Sequence, residues 1–285
     1  MNLRRARLEL SNNRQTATIV LAAPKGNILD QDMMGDIRCL LSATSSSSDP
    51  KVIVITGEGP NFSYGASVGE HLPDQIERTL NQLRELLIAL ARAPAPTIAA
   101  VRGHCLGGGF ELALACDLIA AEETAQFGCP EIKLGVFPPA ASALLPVRAG
   151  LGWASKMVLT GGAYCGKDLA SAGVVSRLAA TGELNAELER WLESDFLPRS
   201  AAALRHGAAA VRLPVLRALE QDLPLLEKIY LEELMCEPDA VEGLSAFLDK
   251  RPPLWSAIGS SASQNSIQQN ESANAAPSHT GSKSV

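Results

Sequence analysis

Apolar and polar positions alternate in two short runs near the start of the chain. Ala6 to Leu10 and Thr16 to Leu21 are predicted strands joined by a turn at Asn12-Asn13. Asp30 can cap a helix from about Gln31 to Leu41, and Ser45 to Pro50 is a polar turn. Val52-Ile53-Val54-Ile55-Thr56 is a β-branched run without polar alternation, the pattern of a parallel strand buried on both faces. A loop covers Gly59 to Pro73. Asp74 then opens a helix whose apolar stripe is Leu80, Leu83, Leu86, Leu87 and Leu90, and Pro94 and Pro96 end it. Thr97 to Val101 is the next strand, Gly107 to Cys116 a glycine-led helix, and Leu118 to Ala121 another strand. Strand and helix in alternation predict an α/β fold with a parallel sheet.

Beyond about residue 142 the signals turn helical. Asp195 to Ala203 reads as a hinge, followed by amphipathic helices near Pro214 to Glu233 and Asp239 to Lys250. From Ser256 onward Ser, Asn, Gln and Ala dominate without periodicity, so 256–285 is expected to be a disordered tail. The chain thus divides into 1–195, 196–255 and 256–285.

Of the 285 residues 46% are hydrophobic, enough for a core. Only 4% are aromatic and the formal charge is −6, which argues against a base-stacking or broad phosphate-binding face, so no nucleic acid is expected. No apolar run approaches the roughly 18 residues of a membrane helix. Arg4, Arg5 and Arg7 are followed by Glu9 with no apolar core behind them, so no secretory leader and no membrane association are expected. The six cysteines lack C-x-x-C spacing and the four histidines do not pair, which predicts reduced thiols, no metal and a cytoplasmic location.

Four segments are candidates for chemistry. Asn61 to Val68 is a loop after a buried strand, where open α/β sheets place ligands, or else an ordinary tight loop. In His104 to Glu111 three glycines open an apolar helix, so backbone N–H groups can approach a phosphate or an oxyanion. No G-K-[ST] follows and the spacing is not G-x-G-x-x-G, which excludes a P-loop and a dinucleotide fingerprint. Glu111 lies in that apolar helix start and suits either catalysis or a cap. Glu131, beside Phe127, Gly128 and Ile132, is either a carboxyl with a raised pKa or a surface loop residue. Together, two backbone donors and two carboxylates would make and quench an enolate.

In these residues the chain resembles the enoyl-CoA hydratase/isomerase (crotonase) superfamily over about residues 5 to 255. The motifs recur in order: Lys25-Gly26-Asn27-Ile28-Leu29, Phe62 to Val68, the triple glycine with Glu111, Phe127 to Ile132, and Leu159-Thr160-Gly161. The resemblance implies a spiral of ββα units over 1–195 and a helical trimerisation region over 196–255, in a homotrimer or a dimer of trimers. It implies an acyl-CoA thioester whose carbonyl sits between the N–H groups of Ala66 and Gly108, with Glu111 and Glu131 as catalytic carboxyls. Retention of both favours a hydratase over an isomerase. It further implies contacts to substrate or CoA from Lys25, Asn27, Ile28, Gly65, Ser67, Val68, Gly107, Pro130, Pro138 and Pro139. Phe247 and Lys250 resemble a C-terminal helix that reaches a neighbouring subunit's CoA site. No cofactor is implied beyond the coenzyme A of the substrate itself.

One departure bears on the acyl group. Where straight-chain hydratases carry a glycine-rich stretch, this chain has Pro138-Pro139-Ala140-Ala141-Ser142-Ala143-Leu144-Leu145. Added volume and lost backbone freedom there should reshape the pocket. This variant, with Glu70-His71-Leu72-Pro73, is similar to the family's cyclohexa-1,5-diene-carbonyl-CoA hydratases. That implies hydration of the cyclic diene to the 6-hydroxycyclohex-1-ene thioester, the alternatives being a general enoyl-CoA hydratase or isomerase and, remotely, a non-catalytic protein of the same fold.

Overall fold

The computed structural model describes residues 3–45 and 50–256. The expected tail, apart from Ser256, and most of the expected turn at Ser45 to Pro50 lie outside the described residues.

The predicted first hairpin is β1, Ala6–Ser11, antiparallel to β2, Thr16–Leu21, with Ala6 opposite Leu21. The strands β3 (Val52–Gly57), β4 (Thr97–Val101) and β6 (Leu118–Glu122) then add in parallel. β9, Arg177–Ala179, closes the edge, giving the order β1-β2-β3-β4-β6-β9. Ile53 and Ile55 face one apolar cluster while Val52 and Val54 face another. That is why β3 reads as an unbroken apolar run.

A second, smaller sheet runs beside the first. Its strands are β5 (His104–Leu106), β7 (Gln126–Gly128) and β8 (Ala163–Cys165), in the order β5-β7-β8. Single parallel bridges, Leu29 to Ala66 and Ser63 to Cys105, extend the same pairing to earlier turns of the chain. Each turn of the spiral therefore gives one strand to the large sheet and a short segment to the small one before its helix. β8 and β9 interrupt the stretch expected to be mostly helical. With three residues each they carry no readable period.

The helices Gln31–Ser45 and Ile76–Ala91 bury Met33, Ile37, Leu83, Leu86 and Leu87 in the main core. Val215, Ala218, Leu219 and Leu223 of the C-terminal helices belong to that same core. A buried ion pair fixes them there. The Arg212 guanidinium donates to Asp117 Oδ1 at 2.7 Å and Oδ2 at 2.6 Å, and to the carbonyls of Ala93 at 2.5 Å and Ala95 at 2.7 Å. Asp117 also accepts from the Thr97 N–H at 2.7 Å, so one carboxylate joins two strand starts to the helical region.

Arg212→Ala leaves Asp117 buried without its cation, which should cost about 3–5 kcal/mol. Chemical denaturation checks this: a loss below about 1 kcal/mol would place the helices' anchorage in apolar packing instead.

Candidate active site

The site forms where three turns of the spiral meet. Gly65, at φ +96°, turns the loop after β3. Its N–H donates to Ser63 Oγ at 3.0 Å, and that hydroxyl in turn donates to the Asn27 carbonyl at 2.7 Å. The next N–H, that of Ala66, is left without an acceptor among the described residues. Gly108 opens the helix Gly108–Ala115, so its N–H has no intrahelical acceptor. The two groups converge: a Cβ at Gly108 would lie 3.2 Å from the Ala66 nitrogen. Gly107 holds the entry to this helix at φ +48°, and a Cβ there would run to 2.3 Å from Glu131 Oε1. Only glycine meets both conditions.

Glu111, in the first turn of that helix, is 3% exposed. Its Oε1 accepts the Ala141 N–H at 2.8 Å, and the Ala140 N–H also favours its charged form. Those donors come from the start of the helix Pro139–Thr160. Pro138 and Pro139 have no N–H, so Ala140 and Ala141 are the first donors this helix can offer. The unusual 138–145 segment thus cradles a carboxylate as well as lining the pocket.

Glu131 lies on the 3-10 turn Pro130–Leu134, and its Oε2 is buried without a partner. Burial, and then the neighbouring charge of Glu111, push its carboxyl up to about 8. Burial raises Glu111 to about 7, against the pull of its two N–H donors. A third carboxyl, Glu227, pairs with Arg84 and feels the same burial, and its charge acts on Glu111. Sequence reading missed it because its signal, one acid on an amphipathic helix, is that of any solvated face.

A cavity of about 20 Å³ lies among Ala66, Gly108, Glu111, Glu131, Pro138 and Pro139, which is room for about one water. A neighbouring space of about 60 Å³ is lined by Gly107, Pro130 and Glu131. Outside it a cavity of about 720 Å³ is lined by Lys25, Ile28, Ser67, Val68, Pro130 and Phe247.

One expectation changes. Asn27 does not face a ligand. It is buried, its Nδ2 donates to the carbonyls of Glu58, Asn61 and Phe62 at 3.1 Å each, and its Oδ1 accepts from Ala23, so it locks the loop instead. Lys250, implied to reach a neighbouring subunit, is exposed, outside the cavities of its own chain and one residue beyond the cap of its helix. The helix Pro238–Leu248, implied to reach a neighbouring subunit's site, packs its Leu244 with Ile76, Leu80 and Val136 of its own chain. Phe247 accordingly lines the cavity of its own chain. Among the described residues no cluster of His, Cys, Asp and Glu is placed to hold a metal ion, and no helix is long and apolar enough to cross a membrane.

Raised carboxyl pKa values make the folded state bind more protons than the unfolded one, so stability should fall as pH rises from about 4.5 to about 8. Glu111→Gln and Glu131→Gln remove this cost. Each should raise Tm by several degrees at pH 8.5, the gain vanishing near pH 5. Calorimetric melts across that range check this, and a gain independent of pH would refute the electrostatic origin.

A family model described as Enoyl-CoA hydratase/isomerase matches residues 11–257. The cyclohexa-1,5-dienecarbonyl-CoA hydratase of Thauera aromatica is 42% identical over 235 residues, 82% of this chain and 90% of that protein. The 2,3-dehydroadipyl-CoA hydratase of Escherichia coli (strain K12) is 35% identical, covering 86% of this chain and 97% of that protein. Among solved structures, an enoyl-CoA hydratase from Mycobacterium avium subsp. paratuberculosis K-10 superposes with a TM-score of 0.79 at 25% identity, covering 90% of this chain and all of that one. A spiral with paired buried carboxylates, matched along nearly its whole described length, means that the chain belongs to the enoyl-CoA hydratase/isomerase family and is an enzyme of its hydro-lyase kind.

Proposed function

We propose that the chain hydrates a conjugated cyclic dienoyl-CoA, cyclohexa-1,5-diene-1-carbonyl-CoA, to 6-hydroxycyclohex-1-ene-1-carbonyl-CoA. The observation that carries the hydratase chemistry is the one-water space between two buried carboxyls and two unpaired backbone N–H groups. The cyclic acyl group rests on likeness to the Thauera aromatica enzyme and on the proline-bearing 138–145 segment at the inner wall.

The thioester oxygen accepts from Ala66 and Gly108. Glu111, whose N–H donors favour its charge, is the base, and Glu131, which has no such donors beyond its own backbone, keeps a proton. A water loses one proton to Glu111 and its oxygen bonds to the β-carbon. The electron pair of the α,β double bond moves to the thioester oxygen, where each backbone donor is worth about 3 kcal/mol in the transition state. The dienolate then takes a proton from Glu131 at its γ-carbon, which leaves the ring double bond beside the carbonyl. Water's oxygen and one hydrogen end on the β-carbon, its other hydrogen on Glu111, and transfer of that proton to Glu131 resets the pair. Lys25 and Lys133 flank the outer cavity, where the anionic CoA arm would lie. CoA enters as part of the substrate, and the steps use no other group. A trimeric assembly fits the apolar side chains left exposed on the C-terminal helices, among them Val211, Leu213 and Leu225.

Crotonyl-CoA and cyclohexa-1,5-diene-carbonyl-CoA should be incubated in parallel and products weighed. Faster gain of one water by the cyclic ester is expected, whereas preference for crotonyl-CoA would establish the straight-chain reading. Either glutamine variant should lose at least about 100-fold in kcat. The wild-type rate should follow a narrow bell, falling in acid below about pH 7 as Glu111 protonates and in alkali above about pH 8 as Glu131 ionises. A rate flat from pH 6 to 9 would contradict the pairing.

Ser63→Ala frees the Gly65 peptide and with it the Ala66 N–H. It should lower kcat by about tenfold with little change in KM. A change confined to KM would mean that Ser63 holds the loop without orienting the donor.

A further inference from the structure

Ala66, Glu131 and His71 are shared by the two inner cavities, so His71 stands at the junction where the reacting carbons would lie. It comes from the 3-10 turn Val68–His71. Its Nδ1 lies 2.8 Å from the carbonyl oxygen of Ser67, which can only accept, so Nδ1 carries the proton and donates. Burial lowers the imidazole pKa below its usual value, which keeps the ring neutral at pH 7. The opposite nitrogen, Nε2, then has a lone pair and no hydrogen. No donor among the described residues meets it.

The surrounding wall is mostly apolar, with Leu29, Met34, Leu80 and Phe137 lining the inner space beside the two glutamates. An acceptor facing such a wall is free to take a donor that the ligand brings. The hydratase reaction brings one. The attacking water has two hydrogens, of which the base removes only one. The other stays on oxygen throughout and becomes the hydroxyl of the product. An acceptor outside the two glutamates would hold this O–H while leaving both carboxyls to their proton transfers.

We infer that His71 Nε2 accepts the hydrogen bond from this retained O–H, and so makes the site selective for β-hydroxyacyl-CoA over the same ester without the hydroxyl. This rests on the hydratase reading above but not on the ring. His71 is held ready by the Ser67 carbonyl, which fixes both the tautomer and the aim of the lone pair.

The test uses S-(3-hydroxybutyl)-CoA and S-butyl-CoA, thioethers that cannot form an enolate and so are not turned over. Binding of both to the full chain is measured by calorimetry for wild type, His71→Asn and His71→Gln. Asn can keep the bond to Ser67 while lacking an Nε2 acceptor. Gln can place a carbonyl near the Nε2 position. The wild type is expected to prefer the hydroxylated ligand by about five- to tenfold. The preference should vanish in His71→Asn and return in part in His71→Gln, with S-butyl-CoA affinity nearly constant as evidence of an intact site. Equal weakening of both ligands in His71→Asn, or an undiminished preference, overturns the inference. A wild type that binds both equally also overturns it, while cyclic diene turnover still judges the reaction separately. A wild type that binds neither overturns the acyl-CoA reading and this inference with it.

Discussion

The site depends on two backbone N–H groups from different turns of the spiral being brought to one point with no acceptor for them among the described residues. Ala66 follows a peptide pinned by Ser63, and Gly108 is the first residue of a helix. Their approach, with 3.2 Å between the Gly108 Cβ position and the Ala66 nitrogen, leaves no space for a side chain. The second sheet sets this distance, because the bridges Leu29 to Ala66 and Ser63 to Cys105 hold the loops in step. A donor pair arranged in advance does not have to reorganise when charge develops on a thioester oxygen.

That arrangement is maintained at an electrostatic cost. Glu111 and Glu131 are both held out of water; the charge of Glu111 raises the proton affinity of Glu131, and that of Glu227 raises the proton affinity of Glu111. A site with two charged acids would repel itself, and one with two neutral acids would lack a base. Unequal hydrogen bonding separates the roles: Ala140 and Ala141 serve Glu111, while Glu131 Oε2 has no partner. The buried Arg212–Asp117 pair is a different case, since every polar group there has a partner and the result is anchorage.

The strands and helices up to residue 121 were legible because their periods follow burial: Val52 to Thr56 faces apolar clusters on both sides, and the leucines from 80 to 90 line one helix face. The two glutamates and the glycines were legible because charged carboxyls stand among apolar neighbours and three successive glycines open an apolar helix. Asn27 was misread, since the same amide can serve a ligand or three carbonyls of its own loop, and only the backbone path decides. Glu227 was missed for the converse reason. Its partner Arg84 is 143 residues distant in sequence, and no local pattern joins them. The small sheet was also hidden, as three-residue strands and single bridges have no periodicity to read.

The closing of the site within one chain follows from apolar packing. Leu244 and Tyr230 join Ile76, Leu80 and Val136 in a cluster that also touches Leu72 and Phe137, so the last helices form the roof over the acids. Tyr230 packs its ring on Phe137 at 5.4 Å, and Phe137 itself lines the one-water space. The roof therefore does two things at once. It removes water from the carboxyls, which raises their pKa values, and it narrows the inner space until an acyl group must displace that wall to enter. The outer cavity, at about 720 Å³, is far roomier than this inner space of about 20 Å³. The Phe137–Tyr230–Leu244 packing and the prolines opposite thus set the shape of the inner space, while the acids are equipped for any conjugated thioester.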